Sequence, residues 1–146
     1  MKILIDADAC PSIRLIENIA KNYSIPVEII TDTAHVINSE YSDVFIVPKG
    51  KDSVDIYLIN RVNESDIVIT QDYGLAVMVL GKKGYAISPY GLIYNDENID
   101  RLLLSRHINR KMRVRGYKIK GPKKRTKDDD VSLINSLETI IISQNK

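Results

Sequence analysis

Five aspartates in this 146-residue chain have the spacing and neighbours for carboxylate chemistry. Asp6 closes the apolar run Ile3-Leu4-Ile5, and Asp8 follows two residues later. In extended backbone both side chains would project to the same side. Asp72 comes just after Ile67-Val68-Ile69-Thr70, while Asp52 and Asp55 stand at the start of a segment with helical spacing, on neighbouring faces. Clustered carboxylates stay ionised only when cations or hydrogen-bond donors offset their mutual repulsion. Hard divalent ions are the natural partner, because they prefer oxygen ligands and are commonly held by one or two carboxylates with substrate phosphates completing the shell. The expected chemistry is therefore phosphoester hydrolysis assisted by Mg²⁺ or Mn²⁺. Asp6, Asp8, Asp52, Asp55 and Asp72 are all candidate ligands on these grounds.

Each acid also has a purely structural explanation. Asp52 and Asp72 precede Ser53 and Tyr73, where an aspartate caps a helix. Asp128, Asp129 and Asp130 precede the last apolar helical stretch, where the helix dipole favours negative charge. Asp6 is harder to explain structurally, since a carboxylate directly after a buried strand is costly without a partner. A soft-metal site is disfavoured by a single cysteine and two histidines, His35 and His107, far apart in the chain. Two other chemistries fit less well. The Asp6-Ala7-Asp8 spacing resembles that of haloacid-dehalogenase phosphatases, but Cys10 stands where that pattern prefers Thr or Val. In Cys10-Pro11-Ser12-Ile13-Arg14 the arginine comes too soon for a cysteine phosphatase, which leaves Cys10 as a small thiol near a helix start.

The net charge of +2 conceals a split. Residues 1–100 carry 8 basic and 15 acidic side chains, whereas residues 101–127 carry 12 basic and none acidic. Such asymmetry points to a polyanion partner such as a nucleic acid, the alternative being a solvated charged face. On a helix from Asn95 or Asp96 to about Arg115, stopped by Gly116, Arg106, Arg110 and Arg113 fall within about 60° of one another. Leu104, Ile108 and Met112 form a seam nearly opposite, so the seam is expected to pack while the arginines face solvent. Lys123, Lys124 and Arg125 would extend the phosphate-binding surface into the next loop, although some of these cations can instead pair with Asp128–Asp130. Tyr117 would pack or stack on a base.

These residues are to be positioned by alternating strands and helices. Ile3–Ile5, Val27–Ile30, Val44–Val47, Ile67–Ile69 and Tyr85–Ile87 are short runs rich in β-branched residues; the first four have the composition of strands buried on both faces. Helical spacing follows at Ile13-Ile16-Ile19, Val54-Leu58-Val62 and Leu75-Val79, and again at Ile134-Leu137-Ile141 after a Thr126–Asp129 capping box. The rhythm predicts a single three-layer α/β/α domain with a mostly parallel sheet. With 44% apolar residues and 27% charged, the chain can bury one sizeable core. Its longest apolar runs, of 4 to 7 residues, exclude a membrane span, and the lone cysteine and the absence of a signal-like stretch point to the cytoplasm.

Together, Asp6-Ala7-Asp8-Ala9-Cys10-Pro11, Gly50-Lys51-Asp52-Ser53-Val54-Asp55, Asp66 to Ala76 and Gly121-Pro122-Lys123-Lys124-Arg125-Thr126 resemble the YaiI/YqxD family of bacterial proteins. The resemblance spans nearly the whole chain and implies a PIN-like domain, a group that includes many metal-dependent ribonucleases. It implies that Asp6 is the acid after the first strand, Asp55 the helix acid, and Thr70-Gln71-Asp72 the Thr-x-Asp element. A further acid on an early helix has only Glu17 near its position, with Asp8 and Asp52 as substitutes. The implied activity is an RNA-directed nuclease or phosphodiesterase; the alternative is a non-catalytic RNA-binding module on the same fold.

Overall fold

In the computed structural model, which describes residues 1–50, 52–119 and 124–145, five parallel strands form one sheet. They are β1 (Ile3–Asp6), β2 (Val27–Asp32), β3 (Asp43–Val47), β4 (Ile67–Ile69) and β5 (Tyr85–Ile87), in the order β3-β2-β1-β4-β5. The register runs Ile3 opposite Val27 on one side of β1 and Ile3 opposite Ile67 on the other. Five helices cover the sheet: α1 (Ile13–Asn22), α2 (Ser53–Arg61), α3 (Tyr73–Gly81), α4 (Asp96–Val114) and α5 (Lys127–Gln144).

Strand alternation divides the core in two. Ile3, Ile5, Ile67 and Ile69 pack with Ile16 and Ile19 of α1 and with Leu133, Leu137 and Ile141 of α5. Leu4 and Val68 point the other way, onto Leu58 of α2, Leu75 and Val79 of α3 and Ile99 of α4. The result is the expected three-layer α/β/α arrangement. Burying an Ile or Leu side chain contributes about 1.5–3 kcal/mol, so β1 and β4, buried at every position, anchor the molecule. The expectation of burial on both faces fails for Val44–Val47. This stretch lies in β3, an edge strand with Ile46 62% exposed, because no helix spans the connection from β2 to β3 to cover its outer side.

Helix starts follow the capping chemistry. Asn95 Oδ1 accepts the backbone N–H of Asn98, and the Asn95 backbone N–H donates to Asn98 Oδ1 in return. Thr126 and Asp129 form the expected reciprocal pair at α5. Gly91, at φ +91°, allows α5 to approach closely, since a Cβ there would lie 2.5 Å from the carbonyl carbon of Ser132. Gly116, also at φ +91°, follows the C-cap Arg115 as the sequence predicts.

Candidate active site

The strand order places a topological switch at β1, which has β2 on one side and β4 on the other. In open α/β sheets the crevice beyond the carboxyl ends of such strands is where ligands bind. Asp6 stands at the end of β1, and Thr70 and Asp72 follow β4. Thr70 ties them together: its hydroxyl donates to Asp6 Oδ2 at 2.9 Å and accepts the backbone N–H of Asp72 at 3.0 Å. The Tyr94 hydroxyl donates to the Thr70 carbonyl at 3.2 Å. Asp6 is 6% exposed, and burial raises its carboxyl above the usual range, partly opposed by the Thr70 hydroxyl.

Asp72 has two roles. One oxygen accepts the N–H of Leu75 at 3.0 Å and so caps α3, while the carboxylate also hydrogen-bonds Asp55 from the first turn of α2. Burial, the Asp72 charge and that hydrogen bond push the Asp55 carboxyl up to about 7. Asp52 stands at the N-cap position of α2 but its side chain caps nothing; its backbone is left-handed at φ 59°, and its side chain is exposed. The capping explanation therefore holds for Asp72 and fails for Asp52.

Asp8 departs from expectation in conformation. Residues Ala7–Ala9 form a 3-10 turn rather than extended chain, so Asp8 turns outward while Asp6 stays buried. It nevertheless lines the same cavity. About 270 Å³ in volume, that cavity is bounded by Asp6, Asp8, Asp32, Asp52, Asp55 and Asp72 together with Gly50, Ser53 and Val54, and among the described residues none of its walls is cationic. Sequence reasoning missed Asp32, although the signal was present: it ends the apolar β2 run as Asp6 ends β1.

A second cavity of about 660 Å³ adjoins the first and shares Asp72 with it. Gln71 and Tyr73 complete its inner wall, and Arg106, Arg110, Arg113, Ser105 and Asn109 of α4 form the other. The expected orientation of α4 is met in part: the arginines are exposed, but the apolar seam does not pack. Ile99 is buried and Leu102 half-buried against α3, and their phase fixes the inward face. At about 100° per residue, Arg106, Arg110 and Arg113 continue that same face past the edge of the body. The arginines therefore look back toward Asp72. Leu104 and Ile108 of the predicted packed seam lie outside, 59% and 48% exposed, and only Met112 is partly covered.

The remaining cations separate. Arg125 is held internally: Nε donates to Asp130 Oδ1 at 2.9 Å and Nη1 to the Pro89 carbonyl at 2.5 Å, with the guanidinium over the Tyr90 ring. It pins α5 to the end of β5 instead of offering a phosphate contact, the pairing with Asp130 that charge alone allowed. Lys124 is exposed, and Lys123 lies outside the described residues. Tyr117 does not pack, being 59% exposed. Glu17 is also withdrawn from chemistry, since its buried carboxylate accepts the hydroxyls of Ser39 and Ser42 and holds the β2–β3 connection. Burial pushes the Cys10 thiol up to about 11, which keeps it protonated and unreactive near neutral pH.

The donor set suits a hard divalent cation. Carboxylate oxygens from three separate elements converge on one cavity, and their repulsion, partly offset by the Thr70 hydroxyl and the Leu75 N–H, favours retaining a proton on Asp55 or admitting a positive ion.

The fold and these residues define a parallel α/β/α protein with an acidic cavity at the switch of its sheet. The chain belongs to the family described as "Uncharacterized BCR, YaiI/YqxD family", whose model matches residues 4–143. It is 50% identical over 143 residues to a UPF0178 protein of Clostridium kluyveri, covering 98% of this chain and 94% of that protein. It is also 50% identical to UPF0178 proteins of Clostridium novyi, over 97% of this chain and 95% of the relative, and of Ruminiclostridium cellulolyticum, over 94% and 90%. Among solved structures, the crystal structure of Rae1 (YacP) from Bacillus subtilis (W164L mutant) superposes with a TM-score of 0.47 at 13% identity, over 99% of both chains.

Proposed function

We propose that this protein is a divalent-metal-dependent nuclease acting on RNA. The observation that carries this reading is that Asp72 lines both cavities: an acidic pocket suited to a cation and an arginine-walled groove suited to phosphates meet at one residue. The choice of RNA over other phosphodiesters rests on the resemblance of Asp6, Asp55 and Thr70-Gln71-Asp72 to the acids of PIN-like ribonucleases.

In this reading Asp6, Asp55 and Asp72 hold Mg²⁺ or Mn²⁺. The bound ion supplies Lewis acidity at phosphorus and a lowered pKa for its water. Thr70 keeps the Asp6 carboxylate oriented and fixes the Asp72 backbone, so two of the three acids are set by one hydroxyl. Arg106, Arg110 and Arg113 grip backbone phosphates largely without reading sequence. A non-catalytic RNA-binding module is the second reading, favoured by the cap that Asp72 supplies to α3 whatever its chemistry.

Incubation of single-stranded RNA and DNA with purified protein in Mn²⁺ or Mg²⁺ separates the two. Cleavage of RNA is expected, and Asp6→Asn and Asp72→Asn should each reduce it by more than about 100-fold, beyond the loss typical of an outer partner of a metal site. Cleavage unchanged in both variants would sink the nuclease reading. Salt-sensitive binding without cleavage by the unaltered protein would establish the binding module instead.

A further inference from the structure

A second ligand set stands beside the acids assigned above and includes a nitrogen donor. Asp8 comes from the turn after β1, Asp32 from the last residue of β2, and His35 from the connection that follows. One ligand atom from each lies within 4.8 Å of the other two. The imidazole is held in a defined orientation: its Nδ1 is 2.8 Å from Asp32 Oδ1, which also accepts the N–H of Ala34 at 2.9 Å. With the Nδ1 proton donated to Asp32, the lone pair falls on Nε2, which faces Asp8 Oδ1 at 3.5 Å.

That separation is long for a hydrogen bond but suits two donors on one ion. Metal–ligand bonds of about 2.0–2.2 Å meeting near the tetrahedral angle place their donor atoms about 3.3–3.6 Å apart. A carboxylate behind a histidine ring is also the arrangement that fixes the tautomer of metal-bound imidazoles and raises their basicity. His35 and Asp8 have side chains 50% and 64% exposed, so an ion can reach them directly from solvent. An imidazole favours borderline transition ions over Mg²⁺.

We propose that Asp8 Oδ1 and His35 Nε2, with Asp32 orienting the ring, are the protein ligands of a second divalent-cation site that takes an ion of the Mn²⁺ or Zn²⁺ type. The remaining coordination positions go to water or to a phosphate oxygen. This site does not depend on turnover at Asp6, Asp55 and Asp72.

The test uses the full chain and Mn²⁺ alone, read by electron-spin-echo modulation from directly bound ¹⁴N. Modulation is expected in the unaltered protein and should disappear in His35→Gln. It should persist in His107→Gln, which removes the chain's other histidine, and in Asp6→Asn and Asp72→Asn. Asp8→Asn, a change at an exposed side chain, gives a second reading and should also abolish the signal. Asp32→Asn should weaken Mn²⁺ at this site by about 10–100-fold. Absence of ¹⁴N modulation in the unaltered protein, which would leave the three side chains an ion pair only, overturns the proposal. Persistence of modulation in His35→Gln does the same, and its loss in Asp6→Asn or Asp72→Asn would overturn the separateness of the two sites. Failure to cleave RNA leaves all of these signals untouched, so the two readings fail independently.

Discussion

Two side chains carry the local logic of the acidic cavity. The Asp55 carboxyl, pushed up to about 7, binds its proton more tightly in the folded chain than an unfolded aspartate with a pKa of about 3.9. Its contribution to the stability of the ion-free protein is therefore complete below about pH 4 and is lost progressively as pH rises through about 7. Asp55→Asn should flatten this component of the fall in Tm between about pH 4 and 7, as thermal melts across that range would show. Because a cation and that proton compete for the same oxygens, Mn²⁺ affinity should rise with pH up to about 7, with proton release measurable by titration calorimetry in buffers of different ionisation enthalpy. Thr70 is the other pivotal residue. Thr70→Val keeps the shape but removes the donor to Asp6 and the acceptor for the Asp72 N–H, leaving buried polar groups unpaired. The expected cost is about 1–3 kcal/mol, measured by denaturant unfolding, with weaker Mn²⁺ binding.

At the scale of elements, α4 determines whether the cations meet the acids. Its first two turns are fixed by Ile99 and Leu102, and from Leu103 to Lys111 every residue is exposed. The helix is therefore a projecting arm whose inner face changes from apolar to arginine where the body ends. Leu104→Gln and Ile108→Gln should change stability by less than about 0.5 kcal/mol each, whereas Leu137→Ala in α5 should cost about 2–5 kcal/mol in the same unfolding experiment. This element also shows where sequence reading stops. Strand runs, caps and the Gly116 stop are local signals, and all five strands and five helices could be placed from them. The phase of α4 against the sheet is a tertiary property: Leu104, Ile108 and Met112 make an equally regular seam, and only the burial of Ile99 decides between the two faces. Of the acids, Asp6, Asp55 and Asp72 were legible because each follows a strand or opens a helix. Asp32 ends β2 and gave the same signal, but His35 did not, since its place beside Asp8 depends on the three-residue 3-10 turn that carries Asp8 outward.

Across the whole molecule, the small net charge resolves into two opposed fields that meet at Asp72. The acidic walls repel a phosphate chain unless a cation is present, and the arginine face attracts it, so nucleic-acid binding should strengthen with Mn²⁺ and weaken with salt. Replacing Arg106 and Arg110 together by Gln should reduce the slope of log affinity against log salt by about 1.4 for a single strand, at about 0.7 per phosphate contact. Replacing the internally paired Arg125 should not change that slope. No helix among the described residues is long and apolar enough to cross a membrane. The most direct test of one continuous site is anomalous diffraction from crystals of the protein with Mn²⁺ and a short uncleavable RNA. An ion coordinated by Asp6, Asp55 and Asp72 is expected, with adjoining phosphates held by Arg106 and Arg110. RNA phosphates lying away from α4, or no ion among these three carboxylates in Mn²⁺-saturated crystals, would contradict it.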